Sequence, residues 1–350
     1  MHIKPRPRIQ RHPPHTGIMV PDLRGRLLRD LRVSVTDRCN LRCTYCMPKE
    51  HFSSEHVFLP RSEILNLEEI ALVVESLLPL GLKKVRLTGG EPLLRRDVAE
   101  LVKMIRLLSQ DIDLSLTTNG VLLENMLDDL IESGLNRVTV SLDALDSEKF
   151  KSMTDSKTNV ECVITAINSC IQRDIPVKIN CVVQAGVNDD QIVPLIEKFS
   201  PLGIDIRFIE YMDVGTTNYW KLEEVMTGAQ MRDLISLSLG KLEELIPENS
   251  SDVARMWMSP QGYRIGFIES ISRPFCGDCT RLRLSAHGSL YTCLFSEQGN
   301  DIKSLIRMGA NKNEICTAIQ NIWGKRDDRY SELRGQEANL QKIEMSFIGG

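Results

Sequence analysis

Short runs rich in Val, Ile and Leu alternate along the chain with longer segments in which apolar residues recur at helical spacing. The runs predict strands at 31–36, 84–88, 113–118, 137–142, 177–183 and 205–210, and the longer segments predict helices at 67–80, 97–108, 124–133, 160–173 and 191–199. Gly81 and Gly134 follow two of these helices, where a left-handed cap belongs. Repeated βα units build a parallel sheet, and six are too few to close an eight-stranded barrel, so the expected fold is α/β with a partial (β/α)6 barrel or an open sheet. After Tyr211 the rhythm changes to short strands punctuated by Gly, Ser and Pro, which predicts a second region. Parallel architectures bind ligands at the C-terminal ends of their strands, here 36–40, 88–91, 117–120, 141–143 and 210–213.

Composition narrows the setting. The chain has 350 residues, of which 42% are hydrophobic and 26% charged, as in ordinary globular proteins. It has no apolar run long enough to span a membrane. The net charge of −4 argues against nucleic acid as a partner and means that an anionic ligand must be met by a local basic cluster. Residues 1–20 carry Lys4, Arg6, Arg8, Arg11 and four prolines but no acid, which reads as a flexible basic leader. It has no secretory apolar stretch, and its prolines oppose the amphipathic helix of an organellar presequence. A cytoplasmic location is expected, where the ten cysteines more often bind metal than pair as disulfides.

Directly after the first strand the chain reads Cys39-Asn-Leu-Arg-Cys43-Thr-Tyr-Cys46. Chance would give about 0.008 such triplets in a chain of this cysteine content. Three thiolates on a tight loop can hold three irons of a cubane cluster and leave the fourth open, whereas structural zinc normally takes four N or S ligands. Thr88-Gly-Gly-Glu91-Pro92 follows the second strand, and paired glycines allow close backbone approach to a ligand. Downstream, Cys276-Gly-Asp-Cys279 and Cys293 make a second set of three; His287 lies between them, so a Cys3His zinc site is a live alternative there. Cations recur on the predicted strands: Arg32, Arg86, Lys178 and Arg207, with Arg281 and Arg283 after the second cysteine pair. If that last segment is extended, Arg281 and Arg283 face the same way. Cations turned into a barrel are costly unless an anion such as a polyphosphate meets them. Cys162, Cys170, Cys181 and Cys316 lack ligand spacing and read as core thiols.

The first cysteine motif resembles the signature of the radical S-adenosylmethionine superfamily. The second set makes the chain similar, from about Asp30 to Gly350, to the MoaA family of GTP 3′,8-cyclases, which act in molybdenum-cofactor biosynthesis. The resemblance implies two [4Fe-4S] clusters, at Cys39, Cys43 and Cys46 and at Cys276, Cys279 and Cys293. It implies S-adenosylmethionine contacts at Tyr45, Gly90, Ser141 and Met212, and GTP contacts at Arg32, Arg86, Thr117, Lys178 and the Arg281-Leu282-Arg283 segment, with Arg207 a secondary candidate. In the family a 5′-deoxyadenosyl radical takes the ribose 3′ hydrogen and the resulting carbon attacks C8 of guanine, giving 3′,8-cyclo-7,8-dihydro-GTP. The guanine is thought to touch the second open iron. The family's terminal Gly-Gly, here Gly349-Gly350, is held to reach into the active site. The same resemblance implies a homodimer, an electron donor such as flavodoxin or ferredoxin, and transfer of the product to cyclic pyranopterin monophosphate synthase. The expected organisation is a leader at 1–20, a radical core at 21–212 and an auxiliary-cluster and substrate region at 213–350. Rival readings are a radical enzyme with a similar auxiliary cluster acting on a peptide or other small molecule, an iron–sulfur electron carrier, and a zinc-stabilised binding module.

Overall fold

The computed structural model describes residues 19–247, 251–334 and 342–349. Most of the basic leader, and Gly350, therefore lie outside the described residues. Strands β1 (Asp30–Ser34), β2 (Lys84–Thr88), β3 (Asp113–Thr118), β4 (Arg137–Ser141), β5 (Val177–Val183) and β6 (Asp205–Glu210) lie side by side in chain order, each parallel to the next. β1 stops at Ser34, earlier than its apolar pattern, because the chain turns there to deliver the cysteine loop; only Val35 N still reaches across to Thr88 O, at 2.9 Å.

The helices between them bear out the apolar periodicity, with α-helices at Leu67–Leu77, Val98–Leu108, Leu123–Glu132, Val160–Gln172 and Ile192–Phe199. The first ends three residues before its pattern does, since Pro79 lacks an N–H and the chain tightens into a 3-10 turn that closes on Gly81 in the left-handed conformation (φ 86°). The short helix Ser147–Thr154 has little apolar periodicity, and it is started by Asp146, whose carboxylate accepts from Lys149 N at 2.8 Å.

The second region does not form a separate layer. Its strands β7 (Glu243–Glu244), β8 (Arg255–Met258), β9 (Arg264–Ile268), β10 (Arg281–Leu284), β11 (Ser289–Tyr291) and β12 (Asn300–Asp301) extend the same sheet at both ends, giving the order β12-β11-β10-β1-β2-β3-β4-β5-β6-β9-β8-β7 among the described residues. β10 runs parallel to β1 and β9 parallel to β6, so the central strands are flanked on each side by a parallel neighbour from the second region. The sheet keeps two ends, as a partial barrel must.

Strand alternation divides the residues cleanly. Leu31, Val33, Val85, Leu87, Leu114, Leu116, Val138, Val140, Ile206 and Phe208 are buried in the core between sheet and helices. Their neighbours Arg32, Arg86, Ser115, Thr117, Lys178 and Arg207 line a cavity on the other face. No helix among the described residues is long and apolar enough to cross a membrane. Phe208, fully buried beside Phe267 with ring centroids 6.2 Å apart, anchors β6 to the core. Phe208→Ala is expected to destabilise the fold by about 3–5 kcal/mol, read as a lower denaturant midpoint with the slope unchanged.

Candidate active site

The cavity has a volume of about 2720 Å³, and all six cysteines of the two sets line it. The first set is carried by the loop that leaves β1. Two close approaches hold this loop against the turn after β2: Gly90 N donates to Thr36 O at 2.8 Å and Glu91 N to Arg38 O at 2.7 Å. A Cβ on Gly90 would lie 2.3 Å from Arg38 O, so the contact requires glycine. The Glu91 carboxylate points inward and is fully engaged, accepting from Leu93 N, Asn119 N and Thr118 Oγ1 at 3.0, 2.8 and 2.7 Å. Burial pushes it up to about 7, against those three donors.

Tyr45 packs with Met153 and Tyr211 beside Cys43, Cys46, Val182 and Trp220, an apolar wall behind the cysteines. Its hydroxyl donates to Asp143 Oδ2 at 2.6 Å, and Asp143 Oδ1 accepts from Val182 N at 2.8 Å. The thiols themselves are poorly solvated. Burial raises Cys39 to about 11 and lifts Cys43 and Cys46 further, with Asp143 adding to both and Glu344 to Cys46. As metal ligands they would have to shed their protons, which makes metal binding here proton-releasing.

The second set has the opposite electrostatics at one sulfur. Cys279 Sγ accepts from Arg326 Nη2 at 3.1 Å and from Arg281 Nη2 at 3.3 Å. Burial opposes ionisation there, but the two guanidiniums outweigh it and bring the thiol down to about 6. Cys293, buried and near Asp328, rises to about 12. His287 does not join these cysteines: it is absent from the cavity lining, and its Nε2 lies 3.0 Å from Lys303 Nζ and 3.6 Å from Glu63. That removes the imidazole a Cys3His zinc site would need. Among the described residues, no three His, Cys, Asp or Glu side chains converge on a point where a single metal ion could sit.

Between the two sets lies the basic wall. Arg32 is in register with Arg283 on β10 and with Arg86 on β2, which sets three guanidiniums side by side across adjacent strands. Among the described residues none of the three makes an ion pair with a carboxylate. Burial, and the charges of Arg283, Arg86 and Arg281, hold Arg32 well below its usual value, and burial lowers Arg86 to about 9 and Arg283 to about 10. Farther along, Lys178 Nζ is 3.6 Å from Asp205, and burial followed by the charge of Arg207 lowers it to about 8. Thr117 Oγ1, Asn180 Oδ1 and Arg207 Nε are buried with no hydrogen-bond partner among the described residues. Orphaned polar atoms beside unpaired cations mark a surface shaped for a polar, anionic ligand.

The structure thus brings Arg32, Arg86, Thr117, Lys178, Arg207, Arg281 and Arg283 to the cavity, together with Tyr45, Gly90, Ser141 and Met212. Alternation turns the Leu282 side chain into the hydrophobic core, 0% exposed, so the part Leu282 is expected to play in that segment falls to its backbone. The C-terminal tail does reach the cavity. Met345 and Ser346 line it, and Arg283 Nη1 donates to Gly349 O. Carboxylates tie this tail down, with Lys342 Nζ 2.6 Å from Asp213 Oδ2 and Thr216 N donating to Glu344 at 2.8 Å. Sequence spacing gave no sign of Arg326, which lies 47 residues from its cysteine, whereas Asp143 stands at the C-terminal end of β4, where chemistry was expected.

Comparison with known proteins agrees with this layout. Residues 33–199 match the family model "Radical SAM superfamily" and residues 204–332 match "Molybdenum Cofactor Synthesis C". The chain is 42% identical to the GTP 3′,8-cyclase of Staphylococcus haemolyticus over 95% of its own length and 99% of that protein. It is 41% identical to that of Staphylococcus carnosus over the same shares. Among solved structures, SuiB of Streptococcus suis bound to S-adenosylmethionine aligns with a TM-score of 0.58 at 14% identity, covering 89% of this chain and 67% of SuiB. AnSMEcpe with bound AdoMet aligns at 0.55 and 17% identity, covering 91% and 92%. Those two likenesses are of fold.

The Gly90 contact gives a direct test of how the first loop is held. Gly90→Ala is expected to overpack the junction by about 1–3 kcal/mol and to displace the cysteine loop. The expected readouts are a lower denaturant midpoint and less iron bound per chain after anaerobic reconstitution.

Proposed function

The chain belongs to the GTP 3′,8-cyclase family, and from that premise we propose that its cavity holds GTP between two iron–sulfur clusters and closes the ribose 3′ carbon onto C8 of guanine. The observation that carries this reading is the row Arg283–Arg32–Arg86, three guanidiniums in register on the wall between the two thiol sets, none of which forms an ion pair with a carboxylate among the described residues. A triphosphate supplies the charge that row needs, and neither an electron carrier nor a zinc-stabilised module has a use for it.

Cys39, Cys43 and Cys46 would hold the first [4Fe-4S] cluster, and Cys276, Cys279 and Cys293 the second. S-adenosylmethionine would lie over the first, against Gly90, Ser141 and Met212. Bound there, cluster and cofactor supply one-electron reductive cleavage of a carbon–sulfur bond and, through it, hydrogen-atom abstraction from the ribose. The chain's own work is positioning and exclusion. Arg32, Arg86, Lys178, Arg281 and Arg283 grip the phosphates and Thr117 Oγ1 is free to bond the nucleotide. The apolar wall of Tyr45, Met153 and Tyr211 keeps water from the first thiols, and the tail from Lys342 to Gly349 covers the cavity. A boundary near residue 212, a cytoplasmic homodimer, a small electron-transfer protein as donor and hand-over to cyclic pyranopterin monophosphate synthase belong to the same proposal.

Anaerobic incubation with GTP, S-adenosylmethionine and dithionite is expected to release 5′-deoxyadenosine only when GTP is present, from protein carrying about eight irons per chain. Iron-poor protein, or no deoxyadenosine, would remove the proposal.

The cations also set a pH dependence. Lys178 in the free protein loses its proton as pH rises through about 8, and a bound phosphate restores it. Binding above pH 8 therefore takes up a proton, and affinity falls as pH rises. GTP affinity measured by calorimetry is expected to weaken about tenfold between pH 7 and 9. Lys178→Met should bind more weakly at pH 7 and show a flatter profile.

A further inference from the structure

We propose that Arg326 is a positioning residue that raises the reduction potential of the second cluster by placing hydrogen bonds and positive charge on the Cys279 sulfur. The inference rests on the reading that Cys276, Cys279 and Cys293 hold an iron–sulfur cluster.

Arg326 is built for this place. Its side chain is only 1% exposed, its Cζ lies 4.5 Å from the Trp323 ring centroid, and its two terminal nitrogens divide between the Cys279 carbonyl at 2.6 Å and the Cys279 sulfur at 3.1 Å. The bidentate grip sets the guanidinium's angle and leaves it no second orientation. Two carboxylates hold the group from behind, Asp328 at 3.4 Å from Nε and the fully buried Asp22 at 3.4 Å from Nη1, and Asp22 also binds Arg26 Nε at 2.6 Å. Arg26 in turn donates to the Cys276 carbonyl at 2.8 Å. Asp22 thus orients two arginines, each on one cysteine of the Cys276–Cys279 turn.

Cluster potentials respond to hydrogen bonds and charge at the ligand sulfurs, because the reduced cluster carries one more negative charge than the oxidised one. A buried guanidinium on a ligand sulfur favours the reduced form and moves the potential upward. Among the described residues, no guanidinium donates to a sulfur of the first cysteine set. Cys39 Sγ accepts from Leu41 N at 3.4 Å and from the neutral amide of Asn119 at 3.8 Å; the Arg42 guanidinium acts on Cys39 by its charge but donates to its carbonyl, at 2.9 Å, and the charges of Glu91 and Asp143 oppose it. The second cluster is therefore the easier of the two to reduce. Arg281 also reaches Cys279, but it belongs to the phosphate wall, so its effect on the sulfur cannot be separated from its effect on substrate. Arg326 lies outside that row and reaches it only through its charge on Arg283, so the potential of the substrate-free protein reads its effect on the sulfur directly.

The test uses the full chain with C39A, C43A and C46A, so that one cluster remains, reconstituted anaerobically and titrated with dithionite while the reduced signal is followed by electron paramagnetic resonance. In that background Arg326→Gln is expected to shift the midpoint potential to a more negative value. Asp22→Asn, which keeps a side chain of the same shape but removes one compensating charge, is expected to shift it to a more positive value. A purely structural role would not move the two in opposite directions. If the background chain binds about four irons and neither variant moves the potential, the inference is overturned while the cluster reading stands. If the background chain binds no iron, the cluster reading fails, and the inference with it. Should Arg326→Gln fail to assemble, Asp22→Asn decides: a positive shift supports the inference, and an unmoved or more negative potential overturns it.

Discussion

Guanidiniums on neighbouring strands repel one another, and a sheet that aligns three of them in its interior carries an unfavourable interaction that the charges of Asp30 and Asp113 relieve only in part. Arg283, Arg32 and Arg86 are in this position, joined in register across β10, β1 and β2. Carboxylates could have neutralised the row, as Asp113 neutralises Arg137 at 2.8 Å on the same sheet, but among the described residues none forms an ion pair with it, and Asp30 and Asp113 act on it only from a distance. The repulsion is stored in the ligand-free protein and released when an anion enters, so part of the binding free energy of a polyphosphate is prepared by the fold. That arrangement depends on the register of β10 against β1. The second region therefore completes the site by pairing with the first strand of the chain, and the wall does not exist until both ends of the sequence have met.

The same closure explains how much of the molecule could be read from the residues alone. The six central strands were legible because each buries one face under helices and spells its alternation in Val, Ile and Leu, as at Val85 and Leu87 or Ile206 and Phe208. The cysteine loop and the Gly-Gly turn were legible because their chemistry is local, carried by residues within a few positions of one another. Both glycines are needed by a contact across loops that no spacing reveals: Gly90 is glycine because Arg38 O would be 2.3 Å from its Cβ. The inward cations were legible in number and strand, but their alignment into a row is a matter of register, which the pattern of one strand does not encode.

What remained hidden is long-range in every case. Arg326 meets Cys279 from the end of a helix, and Asp22 meets Arg326 from 304 positions away. Neither pairing follows from periodicity or from motif spacing. The side chain of Leu282 is the converse example. Its place inside the Arg281-Leu282-Arg283 segment suggests a ligand contact, yet in a strand the middle of three consecutive residues must face the other way, so the two arginines face the cavity only because the leucine does not.

Two sets of three thiols in one chamber raise the question of why they do not behave alike. Their surroundings differ in sign. The first set sits among buried carboxylates, Glu91 and Asp143, and behind an aromatic wall, conditions that disfavour extra negative charge on the cysteines. The second sits against guanidiniums that welcome it. If both sets hold clusters as proposed, a chamber whose two ends differ in this way has a direction: electrons would be held more readily at the end where the cations are, and chemistry that needs a strong reductant would belong at the other. The basic wall lies between, so a nucleotide bound there as proposed would be presented to both ends at once, and Arg281, which touches Cys279 and also lines that wall, would link the charge state of one end to the occupancy of the middle.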